Sequence, residues 1–128
     1  MAELSNLYAG VAGYFGKKDH SGKVGVFRRP TAGGDWQHVL GAVQAFTVFV
    51  HPKNPETVFA GTNDGVWRST DRGATFRRTA FPDANREVWS FLVDSRDPDR
   101  IFAGASPIDV YRSDDGGRSW DSIEAGLP

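Results

Sequence analysis

A twelve-residue pattern stands three times in this chain of 128 residues. It is clearest as Gly65-Val66-Trp67-Arg68-Ser69-Thr70-Asp71-Arg72-Gly73-Ala74-Thr75-Phe76, and it returns as Asp109-Val110-Tyr111-Arg112-Ser113-Asp114-Asp115-Gly116-Gly117-Arg118-Ser119-Trp120. A worn copy, Gly25-Val26-Phe27-Arg28-Arg29-Pro30-Thr31-Ala32-Gly33-Gly34-Asp35-Trp36, precedes both. The copies align without gaps at offsets of 40 and 44 residues. A unit of that size cannot bury its own apolar face, so it must stack on its neighbours as a solenoid, propeller or array. That requirement constrains the fold more than any single residue does.

Strand signals recur in phase with the pattern. Leu7-Tyr8-Ala9-Gly10, Val58-Phe59-Ala60-Gly61 and Ile101-Phe102-Ala103-Gly104 are short apolar runs ending in small residues, and the Ala-Gly pair admits a closely packed neighbouring sheet. The next strand carries Val26, Val66 and Val110 on one face with Arg28, Arg68 and Arg112, and the intervening aromatics on the other. A turn then leads to a strand opening on Trp36, Phe76 or Trp120. Two further runs, Ala45–Val50 and Val88–Val93, are apolar almost throughout, as strands covered on both faces are. Each of these leads into a proline turn, His51–Glu56 and Asp94–Asp99. The unit is therefore four antiparallel strands, and four-stranded units at this period predict an all-β propeller. The units divide as 1–40, which lacks its first strand, 41–80, and 81–128.

Charge and composition narrow the class of partner. Fifteen basic residues stand against 16 acidic ones, which gives no electrostatic reason to expect nucleic acid or an anionic membrane. No apolar run approaches the ~20 residues of a membrane helix. Cysteine is absent, so thiolate metal sites and disulfides are excluded, and a reducing cytoplasm is the expected compartment. The first residues lack the basic and apolar regions of a signal peptide.

The turn after the valine strand resembles the Asp-box, or BNR repeat, with its pattern Ser/Thr-x-Asp-x-Gly-x-Thr/Ser-Trp/Phe. Ser69, Asp71, Gly73, Thr75 and Phe76 match every fixed position, as do Ser113, Asp115, Gly117, Ser119 and Trp120; the first copy keeps Gly33 and Trp36. The resemblance covers essentially the whole chain. It implies the Asp-box propeller superfamily, which holds sialidases, sortilin-type receptors, xyloglucan-active glycosidases and photosystem assembly factors. An Asx-type turn explains the aspartate and hydroxyl, a positive φ the glycine, and a plug between sheet and turn the aromatic. One or two carboxylates per turn fall far short of the 6–8 oxygens of a calcium site, so no metal and no cofactor are expected. The resemblance also puts these turns on the face opposite the ligand site.

Candidate ligand-binding residues therefore sit in the connections of the other face. The insertion from Gly13 to Lys23 offers Tyr14, Phe15, Lys17, Asp19 and His20, aromatic groups for stacking beside charges for orientation. The connection from Phe81 to Glu87 offers Asp83 and Arg86, readable also as a surface ion pair. Trp89 reads as a core tryptophan, with a place lining the central channel near its mouth as the alternative. No catalytic residue emerges, because a glycosidase needs two carboxylates facing each other across its substrate. The expected function is a non-catalytic, structural or self-assembling propeller segment, or a protein-interaction module. The alternative is a piece of a sialidase-like glycoside hydrolase or of a glycan-binding lectin. Propellers close with 4–8 blades, and under three are present. The chain is accordingly expected to pair head to tail with itself, two or three copies closing a ring.

Overall fold

A computed structural model describes residues 5–13 and 23–123 of the chain. Those residues form eleven strands and no helix. The first sheet is β1 (Asn6–Val11), β2 (Gly25–Pro30) and β3 (Gln37–Leu40), in that order. The second is β4 (Ala45–Val50), β5 (Val58–Thr62), β6 (Gly65–Ser69) and β7 (Arg77–Arg78); the third is β8 (Glu87–Asp94), β9 (Asp97–Ser106), β10 (Asp109–Ser113) and β11 (Asp121–Ser122). Every neighbouring pair is antiparallel and sequential. Three such meanders stacked face to face are the blades of a β-propeller.

Two apolar layers hold the blades together, and both obey one alternation. Tyr8, Val26 and Leu40 of the first sheet meet Ala45, Val48, Ala60, Trp67 and Phe76 of the second. Phe49, Phe59 and Val66 of the second meet Val88, Phe91, Ala103, Tyr111 and Trp120 of the third. Along each β-strand, neighbouring side chains take opposite faces, so the valine and the aromatic of the repeat serve different layers. The Ala-Gly pairs are where the sheets come closest. A Cβ added at Gly61 would fall 2.5 Å from the Val88 carbonyl oxygen, which is backbone and cannot yield.

Three expectations are revised. β4 lies between two sheets, but β8 does not: Trp89 is 51% exposed and Leu92 65%. The far side of β8 has no neighbour among the described residues, so apolar sequence there does not become burial. Trp89, displaced at the register shift between Val88 and Ser90, is no core residue either. The stretch Asp94–Asp99 is not a copy of the His51–Glu56 turn, because Asp94 pairs with Asp97 and the hairpin tightens to Ser95 and Arg96. Pro98 thereby enters β9 beside a register shift, where a missing N–H is tolerated. Finally, the fourth strands of the second and third sheets shorten to two residues each.

Candidate functional site

The strand order sends the two kinds of connection to opposite rims. One rim carries the Ser-x-Asp-x-Gly turns and the links between the first and second strands of the second and third sheets. Arg72 N–H donates to Glu56 O at 2.9 Å and Gly116 N–H to Asp99 O at 3.0 Å, which ties these two kinds of connection together.

The turns themselves are closed bonding circuits. Ser69 Oγ donates to Asp71 Oδ1 at 2.7 Å and accepts from Gly73 N–H at 2.8 Å. Asp71 accepts from the Thr75 N–H at 2.9 Å and from its hydroxyl at 2.6 Å. Ser113, Asp115, Gly117 and Ser119 repeat the circuit, with the Arg118 N–H added at 3.0 Å. The side-chain hydrogen bond from Thr75 leads the effects that hold the Asp71 carboxyl down to about 2, with burial opposing. At Asp115, burial pushes upward more strongly than any single opposing contact, yet donors from Ser119, Ser113 and Arg118 together bring the carboxyl to about 2. The serine hydroxyl and the aspartate carboxylate of each turn are thus engaged within it.

A pH dependence follows from this circuit. A carboxyl whose folded value lies below its unfolded one stabilises the fold fully above the unfolded value of about 3.9, and that contribution fades as pH falls through about 2. Asp71→Asn and Asp115→Asn should each lower the urea midpoint at neutral pH. The gap to the parent chain should close as both are acidified towards pH 2. A gap of constant size across that range would contradict the assignment.

The other rim carries the remaining connections, and they interlock. Gln44 Oε1 accepts from Gly13 N–H at 2.8 Å, and Gln44 N–H donates to Asn63 Oδ1 at 2.9 Å. Gly65 N–H donates to Arg86 O at 3.1 Å, and Arg86 reaches Pro107 O at 3.3 Å. Asp83 accepts the Tyr111 hydroxyl and lies 3.9 Å from Arg86. Burial first, and the Asp83 bond second, push the Tyr111 phenol well above its ordinary range, so it stays a neutral donor. Asp83 and Arg86 are brought together, as braces between connections. Tyr14, Phe15, Lys17, Asp19 and His20 lie outside the described residues.

Two side chains on this rim form a feature that the sequence concealed. Phe46 and Trp89 stack with ring centroids 4.1 Å apart and planes 18° from parallel. They occupy equivalent places near the starts of β4 and β8, each beside a register shift, between Ala45 and Thr47 and between Val88 and Ser90. A bulge re-aims the residue it displaces, which is how two aromatics leave the interleaved layers and meet across two sheets. Trp89 Nε1–H donates to Glu87 Oε1 at 3.3 Å, fixing the indole. The result is an aromatic step, its indole exposed and its phenyl half-buried, beside a carboxylate at the starts of β4 and β8.

His51 is a second residue that sequence reading passed over. It is buried, its Nδ1 accepts from the Lys53 and Asn54 N–H groups at 3.0 and 3.2 Å, and its Nε2 lies 2.7 Å from Pro98 O. Those partners make the ring a cross-tie between the second and third sheets.

Comparison with known proteins follows the same lines. No protein-family model matches the chain. A probable oligoxyloglucan-reducing end-specific xyloglucanase of Neosartorya fischeri is 29% identical over 129 residues, covering 96% of this chain and 16% of that protein. A xyloglucanase of Hypocrea jecorina is 31% identical over 80 residues, covering 60% of this chain and 10% of that protein. The chain thus spans less than a fifth of the curated relatives it matches. Among solved structures, the GH74 xyloglucanase from Xanthomonas campestris superposes with a TM-score of 0.71 at 24% identity, over 97% of this chain and 22% of that one. An ancestral GH74 enzyme gives 0.66 at 25%, over 77% and 15%. YCF48 from Cyanidioschyzon merolae gives 0.57 at 23%, over 74% and 29%. Agreement at this level, together with three stacked antiparallel meanders, establishes the β-propeller fold.

Proposed function

We propose that the chain is a sector of an Asp-box propeller that binds a glycan on its Phe46–Trp89 rim without cleaving it. The observation that carries this reading is the stacked pair with its exposed indole. The apolar face of a pyranose ring seats on an aromatic plane, and an exposed indole on a rigid strand offers that plane at little entropic cost. Glu87, already accepting from the indole N–H, adds an acceptor for sugar hydroxyls. The similarity to xyloglucanases supports a neutral β-glucan as the ligand class. Catalysis is assigned to no residue of this chain: Asp83 braces Tyr111 and Arg86, and Glu87 serves as a binding acceptor.

Titration of the chain with xyloglucan oligosaccharides, read by calorimetry and tryptophan fluorescence, tests the reading. Binding without turnover is the expected result, and Trp89→Ala should weaken it roughly tenfold, the equivalent of one good aromatic contact. Unchanged affinity in Trp89→Ala, or no binding by the parent chain, would sink it. The second reading is a scaffold or interaction module, and it rests on the two end faces of the stack.

A further inference from the structure

The two joints inside the chain are built by one rule. At the first, Arg28 of β2 donates to Arg72 O at 3.0 Å, in the turn after β6. At the second, Arg68 of β6 donates to Gly116 O at 3.1 Å, in the turn after β10. Arg72 and Gly116 hold the same place in the repeat. The next residue of each turn is a glycine that seats the ring of the preceding sheet. A Cβ at Gly73 would fall 2.5 Å from Tyr8 Cε1, and one at Gly117 would fall 2.3 Å from Phe59 Cε1. Each joint is therefore a clamp: an aromatic and an arginine from one sheet grip the turn of the next.

The third sheet presents the same pair, with nothing in its grip among the described residues. Phe102 holds the place of Tyr8 and Phe59, and Arg112 the place of Arg28 and Arg68. Arg112 is 45% exposed and rests 3.2 Å from its own Asp114, a surface pairing that costs little to release. Leu92 and Val110 widen the face, in the places of Phe49 and Val66. The first sheet presents the other half of a joint. Gly33 holds the place of Gly73 and Gly117, and a Cβ there would meet nothing within 4 Å. Trp36, in the place of Phe76 and Trp120, is 48% exposed.

We infer that the far face of the third sheet is a docking surface for the first sheet of a second copy of this chain. Phe102 would seat on Gly33 of that copy, and Arg112 would donate to its Ala32 carbonyl. The occupant follows from continuity: the two end faces are the halves of a joint that the chain itself makes twice. Such a head-to-tail contact either closes or runs on as a filament. Two copies bring six sheets, within the range at which propellers close.

The absence of cysteine makes the test clean. Arg112→Cys and Ala32→Cys are prepared separately, mixed, and treated with a short bis-maleimide, because the arginine that spans the equivalent joints holds the two backbones beyond disulfide reach. The expected result is a cross-linked heterodimer in the mixture well above the dimer either variant forms alone, with two or three copies of the parent chain by light scattering. Arg112→Glu, checked for folding by circular dichroism, should raise the dissociation constant at least about tenfold, as losing an interface anchor does. A parent chain that stays monomeric at its highest soluble concentration overturns the inference. So does cross-linking confined to Arg112→Cys with itself.

Discussion

Gly117→Ala is expected to lower the unfolding free energy by about 3–4 kcal/mol, the sum of a positive-φ penalty and a core overpacking penalty. The glycine has φ near 88°, and its would-be Cβ falls 2.3 Å from Phe59 Cε1 and 2.7 Å from Cζ. Phe59 cannot retreat: it is fully buried, with Phe91 at 5.7 Å and Phe49 at 6.5 Å between ring centroids. Gly33→Ala, measured at concentrations where the chain is monomeric, supplies the control, because within one chain it carries positive φ but open space, and should cost only about 1–2 kcal/mol. Urea melts of the two variants separate the terms. Phe59→Leu, combined with Gly117→Ala, should cost less than the two changes added, since the shorter side chain removes the atoms struck. Equal losses at Gly33 and Gly117, or strict additivity with Phe59→Leu, would mean that the turn does not seat on the preceding sheet.

The same residues show what a sequence can and cannot disclose. The repeat disclosed strand order, because three aligned copies keep the Val-aromatic-Arg strand and the closing aromatic in phase, and the all-β propeller follows from that order. Alternation disclosed which face Val26 and Val66 take, since a strand has only two. It did not disclose which sheet each face meets, so the grip of Arg28 on Arg72 and of Arg68 on Gly116 had to await the fold. Burial is likewise a property of neighbours: Leu92 and Phe49 hold equivalent places in the repeat, and one is exposed while the other packs against a core. Trp89 was misread for a different reason. A bulge breaks the period of two on which every inference about facing depends, and its position depends on register with a partner strand. The Phe46–Trp89 step was therefore out of reach, although both aromatics were in plain view. The Tyr14–His20 stretch lies outside the described residues and remains the sequence's own suggestion.

Tyr111→Ala should be the most damaging side-chain truncation in the third sheet, at about 5 kcal/mol, from a large core cavity with a lost hydrogen bond to a carboxylate added. Tyr111 is fully buried at the centre of the layer between the second and third sheets, its ring 4.3 Å from that of Phe81. Its hydroxyl leaves the layer to reach Asp83 on the connection that bears Arg86, so one side chain fastens both the core and the rim. Tyr111→Phe separates those roles, since it keeps the ring and should cost about 1.5–3 kcal/mol, the value of a hydrogen bond to a charged acceptor. Asp83, about two-fifths exposed, can exchange the lost donor for water, which places the result towards the lower end. Hydrogen exchange distinguishes the two outcomes within the fold. In Tyr111→Phe, the amide of Gly65, bonded to the Arg86 carbonyl, should exchange faster while those of β5 hold their protection. In Tyr111→Ala, β5 and β9 should open together, because the layer joining their sheets is then hollow. If Tyr111→Phe loosened β5 as much as Gly65, the phenol would be a core bond only, and Asp83 would have no part in holding the rim.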